Sequence, residues 1–494
     1  MIPFLAPKKK PCRPKRLHGA AGYLRLVWGY IMSDRDFNLW NAGDKMANAI
    51  LLMSDEHNPK YCSVYGHPIV QTPNMEKLAQ RGTVFSNAYC LSPLCSPSRA
   101  AFMTGKRVHE VQAYSNCKVN LDRSIPSSGK VLADQGVHTV VVGGSAQIYE
   151  GFSEQYETVD EAFESGGLPR RPGAVRKGVS RLAAEFGIKD DAFDRDLKRM
   201  EIALAWLKER APGLEQPWVL VINLPKPHFP LWNTREFWEM YQEGVGLPEY
   251  GDACESAQHP YAADLRCYFE TNQFTDEQIR GLRRGYFGCV SFVDRQLGRI
   301  MEAMEQLGLQ ENTNLIYTAD HGEMLGKFGL WWKSSMFEDS IRVPCMAAGP
   351  DFGTGNRVET PVDLLDVQAT LFQSTGVTIP DGRRGIPLTH IANNDSERVV
   401  FSEYHGNAVR SGAFMIRKED WKLIYNMDAE HQLFHLSNDP HELENVYTQF
   451  PSKASELENE LRKICSPEEE NIKAHEFQKK QLEDLKQMSN KEDL

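Results

Sequence analysis

The chain has 494 residues, of which 41% are apolar and 25% charged, and its formal net charge is −11. That composition is ordinary for a globular protein, and the length suits one large α/β domain with an appendage or more than one domain. The acidity argues against a nucleic-acid partner, which needs a basic surface, and no apolar run reaches bilayer-spanning length, so no membrane partner is expected.

Lys8, Lys9, Lys10, Arg13, Lys15 and Arg16 form a basic cluster ahead of the short apolar stretch 22–28, which Arg25 interrupts. Without a small-residue cleavage site this reads poorly as a secretory signal, and residues 1–45 are expected to be a disordered leader. The ten cysteines have no paired spacing. They read as free thiols in a reducing compartment, which predicts a cytoplasmic location.

From Met46 onward, short apolar runs look like buried parallel strands: 49–53, 139–142, 218–222 and 314–318. Helical patterns lie between them, over 191–210 and 288–307. A shorter helix over Met75–Gln80 is expected to be capped by Asn74, with Gly82 past its end. Strands alternating with helices predict an α/β domain with a large, mainly parallel sheet sandwiched by helices, spanning 46–390. The runs 399–404, 413–417 and 421–425 are strand-like with short connections, which predicts a smaller C-terminal antiparallel domain over 391–465. Residues 466–494 are rich in Lys, Glu and Gln and read as an exposed helix or a disordered tail, available for assembly into a homo-oligomer.

Three strands run into polar residues suited to chemistry: Ser54-Asp55-Glu56-His57-Asn58, Pro225-Lys226-Pro227-His228 and Ala319-Asp320-His321-Gly322-Glu323. Open α/β sheets bind ligands at the carboxyl ends of their strands, so one rule puts these distant residues on one rim. Asp55, Glu56, Asp320 and His321 are candidate ligands for one divalent cation. Their carboxylates suit calcium or magnesium, and the imidazole shifts preference toward manganese or zinc. Any one of them alone would read as a turn or cap residue.

Cys95-Ser96-Pro97-Ser98-Arg99, continued to Thr104-Gly105, resembles the sulfatase modification signature, in which the cysteine becomes formylglycine. The resemblance extends in order through Thr72–Ala79, Pro227-His228-Phe229-Pro230, Asp320–Glu323, Gly329–Lys333 with Arg342-Val343-Pro344, and Leu433–Pro440 with Glu442. It implies an alkaline-phosphatase-like fold and hydrolysis of a small-molecule or carbohydrate sulfate ester. It also implies one divalent cation (calcium first, manganese or magnesium as alternatives) and, as partner, a formylglycine-generating maturation enzyme. In that reading the modified Cys95 is both nucleophile and metal ligand beside Asp55, Glu56, Asp320 and His321. Arg99 holds the diol and the acidic ligands, His228 is the general acid, Lys333 clamps the sulfate or donates a proton, and Asn116 touches substrate. A hydrated aldehyde carries two hydroxyls, one to attack sulfur and one to let the adduct collapse to free sulfate.

The pattern breaks at Gly143-Gly144-Ser145-Ala146, where sulfatases carry Gly-Lys-x-His. Gly144 and Ala146 cannot donate a side-chain hydrogen bond. Phosphonate monoester hydrolases of the superfamily also lack that pair and carry a histidine where His321 stands, so a phosphonate monoester or phosphodiester hydrolase is the alternative. A catalytically silent binding protein is the third reading. Lys226 and Lys130 are candidates for the missing charge. Trp232, Phe237, Trp238 and Tyr241 are candidates either for stacking against substrate or for core packing.

Overall fold

Four buried apolar runs form the middle of an eight-stranded sheet in the computed structural model, which describes residues 46–116, 122, 124–158, 179–406 and 408–492. The expected leader 1–45 lies outside the described residues. From one edge the order is Asn356–Val358, Thr83–Phe85, Cys345–Ala348, Thr313–Ala319, Asn48–Asp55, Trp218–Pro227, His138–Val142 and Glu154–Tyr156. The strands from Thr313–Ala319 to Glu154–Tyr156 all pair in parallel. Cys345–Ala348 runs antiparallel to both neighbours, so the sheet is mixed at one side. Helices cover the two faces of the parallel part, which is why its strands read as unbroken Val, Ile and Leu rather than as an alternation.

The long helix begins earlier than its apolar spacing predicts, spanning Asp276–Gln306. Thr275 and Gln278 form a capping box at its start, ahead of a polar first stretch that hides the period. Asn74 is not a helix cap. The helix there is Pro73–Arg81 with Thr72 at the cap position, and Asp294 of the long helix takes the free first-turn amides of Asn74 (3.0 Å) and Met75 (2.7 Å). Proline suits the first helical position because its missing N–H would have no partner there.

The strands Val399–Tyr404, Ala413–Lys418, Trp421–Asn426 and Gln432–His435 form a four-stranded antiparallel sheet. Helix Pro451–Ile464 covers it with Ala454, Leu457 and Leu461 against Phe414, Ile416 and Leu433. The tail is not an exposed helix throughout. Helix Pro467–Glu492 buries Ala474 and Gln478, and the Asn471 side chain accepts the Gly412 N–H at 2.8 Å. Every cysteine among the described residues is a free thiol, and no described helix is long and apolar enough to cross a membrane.

Two charged clusters tie this sheet to the rest. Lys422 Nζ reaches Glu338 (3.0 Å) and Glu442 (2.6 Å), while Lys327 Nζ reaches Asp339 at 2.6 Å, all buried. Glu403, fully buried, takes His109 Nδ1 on one oxygen and His405 Nε2 on the other, each at 2.8 Å. Burial pulls the pKa of His109 down, but the Glu403 carboxylate outweighs it and holds the value above the ordinary 6.5. The stability this contact adds is therefore complete below pH 6.5 and fades as pH rises through the folded value. His109→Gln is expected to cost more stability at about pH 5.5 than at about pH 8.5, read from urea midpoints at the two pH values.

Candidate active site

Cys95 opens the helix Cys95–Thr104, and Arg99 follows one turn later on the same face. Ser98 Oγ donates to the Asp320 backbone carbonyl at 2.7 Å, fastening the helix to the end of the Thr313–Ala319 strand. The Asn116 side-chain carbonyl accepts the Ser96 N–H at 3.0 Å, filling one of the unpaired amides at the helix start. The structure thus places Asn116 as a brace for the turn that carries Cys95.

Arg99 is buried and spends its fork on three partners. Nε donates to Asp320 Oδ2 (2.8 Å), one terminal nitrogen to Asp55 Oδ2 (3.2 Å) and the other to Asn223 Oδ1 (2.7 Å). Asp320 Oδ1 accepts the backbone amides of Glu56 (3.1 Å) and His321 (2.9 Å). Burial pushes the Asp55 carboxyl up, but Arg99, Lys333 and His321 together bring it below the usual carboxylate range.

Cys95 Sγ lies 3.6 Å from Asp55 Oδ1, 3.2 Å from His321 Nε2 and 3.1 Å from Lys333 Nζ. One ligand atom each from Asp55, Cys95, Asp320 and His321 fall within 4.8 Å of one another. His321 Nδ1 donates to the Gly322 carbonyl at 3.0 Å, which leaves the Nε2 lone pair facing the cluster. Burial keeps that ring neutral, the form in which imidazole binds a metal.

Glu56 stands apart from those four. It belongs instead to a second group with Asp55 and His228. Its φ is 71°, and its side chain is fully buried with both oxygens lacking a hydrogen-bond partner. The nearest nitrogens are His228 Nε2 at 3.3 Å and the Lys333 ammonium at 3.5 Å. Burial raises the Glu56 carboxyl well above its usual range, with Glu323 and Asp55 adding to the rise against Lys333. An acidic oxygen pair left without donors fits a cation between the two strand ends.

His228 Nδ1 donates to the Phe229 carbonyl at 2.6 Å, so Nε2 is the atom turned toward Glu56. Burial lowers the pKa of that ring well below 6.5. Lys333 is buried rather than a surface lysine lying on indole. Burial alone would lower its pKa, yet Cys95, Glu56 and Asp55 hold it above the ordinary value and keep the ammonium charged.

The lysine missing from the lysine–histidine pair, at Gly144, has a local explanation. Gly143 and Gly144 have φ of 81° and 99°, where glycine is favoured. A Cβ on Gly144 would lie 2.6 Å from the Tyr149 ring and 3.2 Å from Asn223 Nδ2. Tyr149 Oη donates to Asn223 Oδ1 at 3.0 Å, and Asn223 Nδ2 donates to the Gly143 carbonyl at 3.1 Å. Sequence reading overlooked Tyr149, Asn223 and Arg199. The available signal was one polar residue, Asn223, within the apolar run of strand Trp218–Pro227.

A cavity of about 470 Å³ opens above Cys95, and Arg199, Lys226 and His228 are on its wall. Lys226 is therefore at the site, whereas Lys130 pairs with Asp134 on the surface. Phe237 packs against Phe193 and Phe292, Tyr241 bonds Ser291, and Trp238 stacks on Phe186. For Phe237 and Tyr241, both buried, the core-packing alternative holds, whereas Trp238 and Trp232 are half-buried.

Acidic residues, an imidazole and a helix-borne cysteine, gathered at the strand ends of a doubly covered sheet, define a hydrolase site of the alkaline-phosphatase-like architecture. The family model described as Sulfatase matches residues 47–377, and that for the C-terminal part of N-sulphoglucosamine sulphohydrolase matches 326–469. The chain belongs to the sulfatase family. It is 30% identical over 426 residues to choline-sulfatase of Rhizobium meliloti (strain 1021), covering 81% of this chain and 82% of that one. It is 29% identical over 473 residues to arylsulfatase K of Bos taurus, covering 89% and 85%. The fold is also that of the phosphonate monoester hydrolase of Agrobacterium radiobacter, with a TM-score of 0.69 and 21% identity over 84% of this chain and 94% of that one.

Proposed function

We propose that this sulfatase hydrolyses the sulfate monoester of a small molecule or carbohydrate, using a formylglycine made from Cys95 by a maturation enzyme and one divalent cation. Calcium is the first candidate and manganese or magnesium the alternative. The observation that carries the reading is the convergence of Asp55, Asp320, His321 and Lys333 on one cysteine side chain. Burial, with Asp55 adding to it, pushes the Cys95 thiol well above its ordinary range. An unmodified Cys95 is then a protonated thiol at neutral pH, a poor nucleophile.

The cation would supply Lewis-acid activation and the hydrated aldehyde an oxygen nucleophile with a route for sulfate release. Asp55, Asp320 and His321 would hold the cation together with the oxygen that replaces Sγ, and Glu56 completes the acidic rim. Arg99 neutralises and orients two of those carboxylates. Lys333 faces the anionic oxygens of the ester. His228 turns Nε2 toward the site, but with Nδ1–H held by Phe229 and its pKa well below 6.5 that nitrogen rests without a proton. The charged Lys333 is therefore the proton donor to the departing oxygen, and His228 is a substrate contact. The free thiols support a cytoplasmic site of action.

A phosphonate-ester reading draws support from Gly144, Ala146 and His321. The deciding experiment is turnover of matched aryl sulfate, phosphate and phosphonate esters by matured enzyme, with metal analysis alongside. The account expects the sulfate to lead by at least about 10²-fold in kcat/KM. A phosphonate preference of that size would move the assignment, and bound metal without turnover of any ester would make the protein a silent binder.

A further inference from the structure

The cavity above Cys95 extends well past the space one sulfate group fills, and beyond the Arg99–Asp55 pair its wall carries Arg195, Arg199 and Lys226 against one further carboxylate, Asp196. Lys226 is already engaged, its Nζ donating to the Pro230 carbonyl at 2.5 Å. Arg199 is not. It is 4% exposed, and its Nε has no hydrogen-bond partner. Among the described residues its terminal nitrogens donate to two backbone carbonyls, Asn223 at 2.9 Å and Glu157 at 3.5 Å. The guanidinium sits so close to the loop that a Cβ on Gly143 would lie 2.5 Å from its central carbon.

Burying a cation without an anion is costly. Burial brings the Arg199 pKa down only to about 10, so the charge persists at neutral pH. Asn223 joins this arginine to the catalytic end, because its side-chain oxygen takes Arg99 at 2.7 Å while its backbone carbonyl takes Arg199. The scissile group has Lys333 and the cation site for its own charge. Beyond it, Arg195 and Arg199 outnumber Asp196 on the cavity wall and leave a net positive charge there. We propose that Arg199, with the exposed Arg195 beside it, binds a second anionic group, a carboxylate or a further sulfate, carried on the alcohol portion of the ester. A cationic alcohol would meet like charge there.

The inference rests on the sulfate-ester reading for its substrate but is testable without turnover. Calorimetric titration of the protein with 4-sulfobenzoate and with benzenesulfonate compares a sulfonate that carries a carboxylate with one that does not. 4-Sulfobenzoate is expected to bind at least about tenfold more tightly, as a desolvated charge-assisted contact requires. Arg199→Gln should erase that preference while leaving benzenesulfonate affinity within about twofold. Arg195→Gln, on an exposed side chain, should reduce it with no change in melting temperature, which guards against a misfolded Arg199 variant. Equal binding of the two sulfonates by the unmodified protein, or an equal loss of both in the variants, would overturn the proposal. Turnover of phenyl sulfate and 4-carboxyphenyl sulfate by matured enzyme reads the two ideas apart. Turnover without a carboxylate preference sinks this inference alone, and no turnover of either ester sinks the sulfatase reading.

Discussion

Cys95→Ser is expected to retain the fold and the bound cation but to lose steady-state turnover by at least about 10⁴-fold. A serine hydroxyl could attack sulfur from the same place, since the side chain stays at the start of the helix, 3.1 Å from the Lys333 ammonium. It has no second hydroxyl through which to expel the sulfate. The variant should therefore release no more than one equivalent of phenol per site from an aryl sulfate and then stop. Rapid mixing with a chromogenic sulfate reads the burst, and circular dichroism checks the fold. Sustained multiple turnovers by the serine variant would mean that release does not depend on an aldehyde hydrate.

Arg99→Met is expected to be the most destabilising single change near the site. Arg99 bonds Asp320 at 2.8 Å and Asp55 at 3.2 Å with side chains 9%, 0% and 17% exposed. Removing one partner of a buried pair leaves uncompensated charge and costs about 3–5 kcal/mol. The Asp55 carboxyl, which Arg99 helps to hold below its usual range, should then titrate at higher pH. A divalent cation would partly replace the lost charge, so added calcium should raise the melting temperature of the variant more than that of the parent protein. Thermal scans with and without calcium check this. A variant as stable as the parent, with the same response to calcium, would show that Arg99 is not the counter-charge of the acidic pair.

The catalytic rim was legible because it obeys two rules of local sequence. Buried parallel strands show as unbroken apolar runs, and their carboxyl ends carry the reactive residues, which assigns Asp55, His228, Asp320 and His321 to one rim. Helix starts fared worse. Asp294 supplies from 220 residues away the capping oxygen that local spacing assigned to Asn74. The residues around the missing lysine–histidine pair were also hidden. Tyr149, Asn223 and Arg199 come from three separate segments and meet only because Gly143 and Gly144 leave room for them. Glu442 was visible as part of a motif, yet its task was not. Its carboxylate accepts the Glu338 N–H at 2.8 Å and the Lys422 ammonium at 2.6 Å. It thereby braces the segment that follows Lys333 from the small sheet. A buried carboxylate serving a distant loop leaves no periodic trace in a sequence.

The most direct test of the central claim is the mass of the peptide containing residue 95, taken from protein produced with and without a formylglycine-generating enzyme and assayed in parallel on an aryl sulfate. The account predicts that the sulfur is replaced by an aldehyde oxygen only in the first preparation, and that sulfate-ester turnover rises in proportion to the converted fraction. Equal turnover by the preparation that retains an intact Cys95 thiol would contradict it.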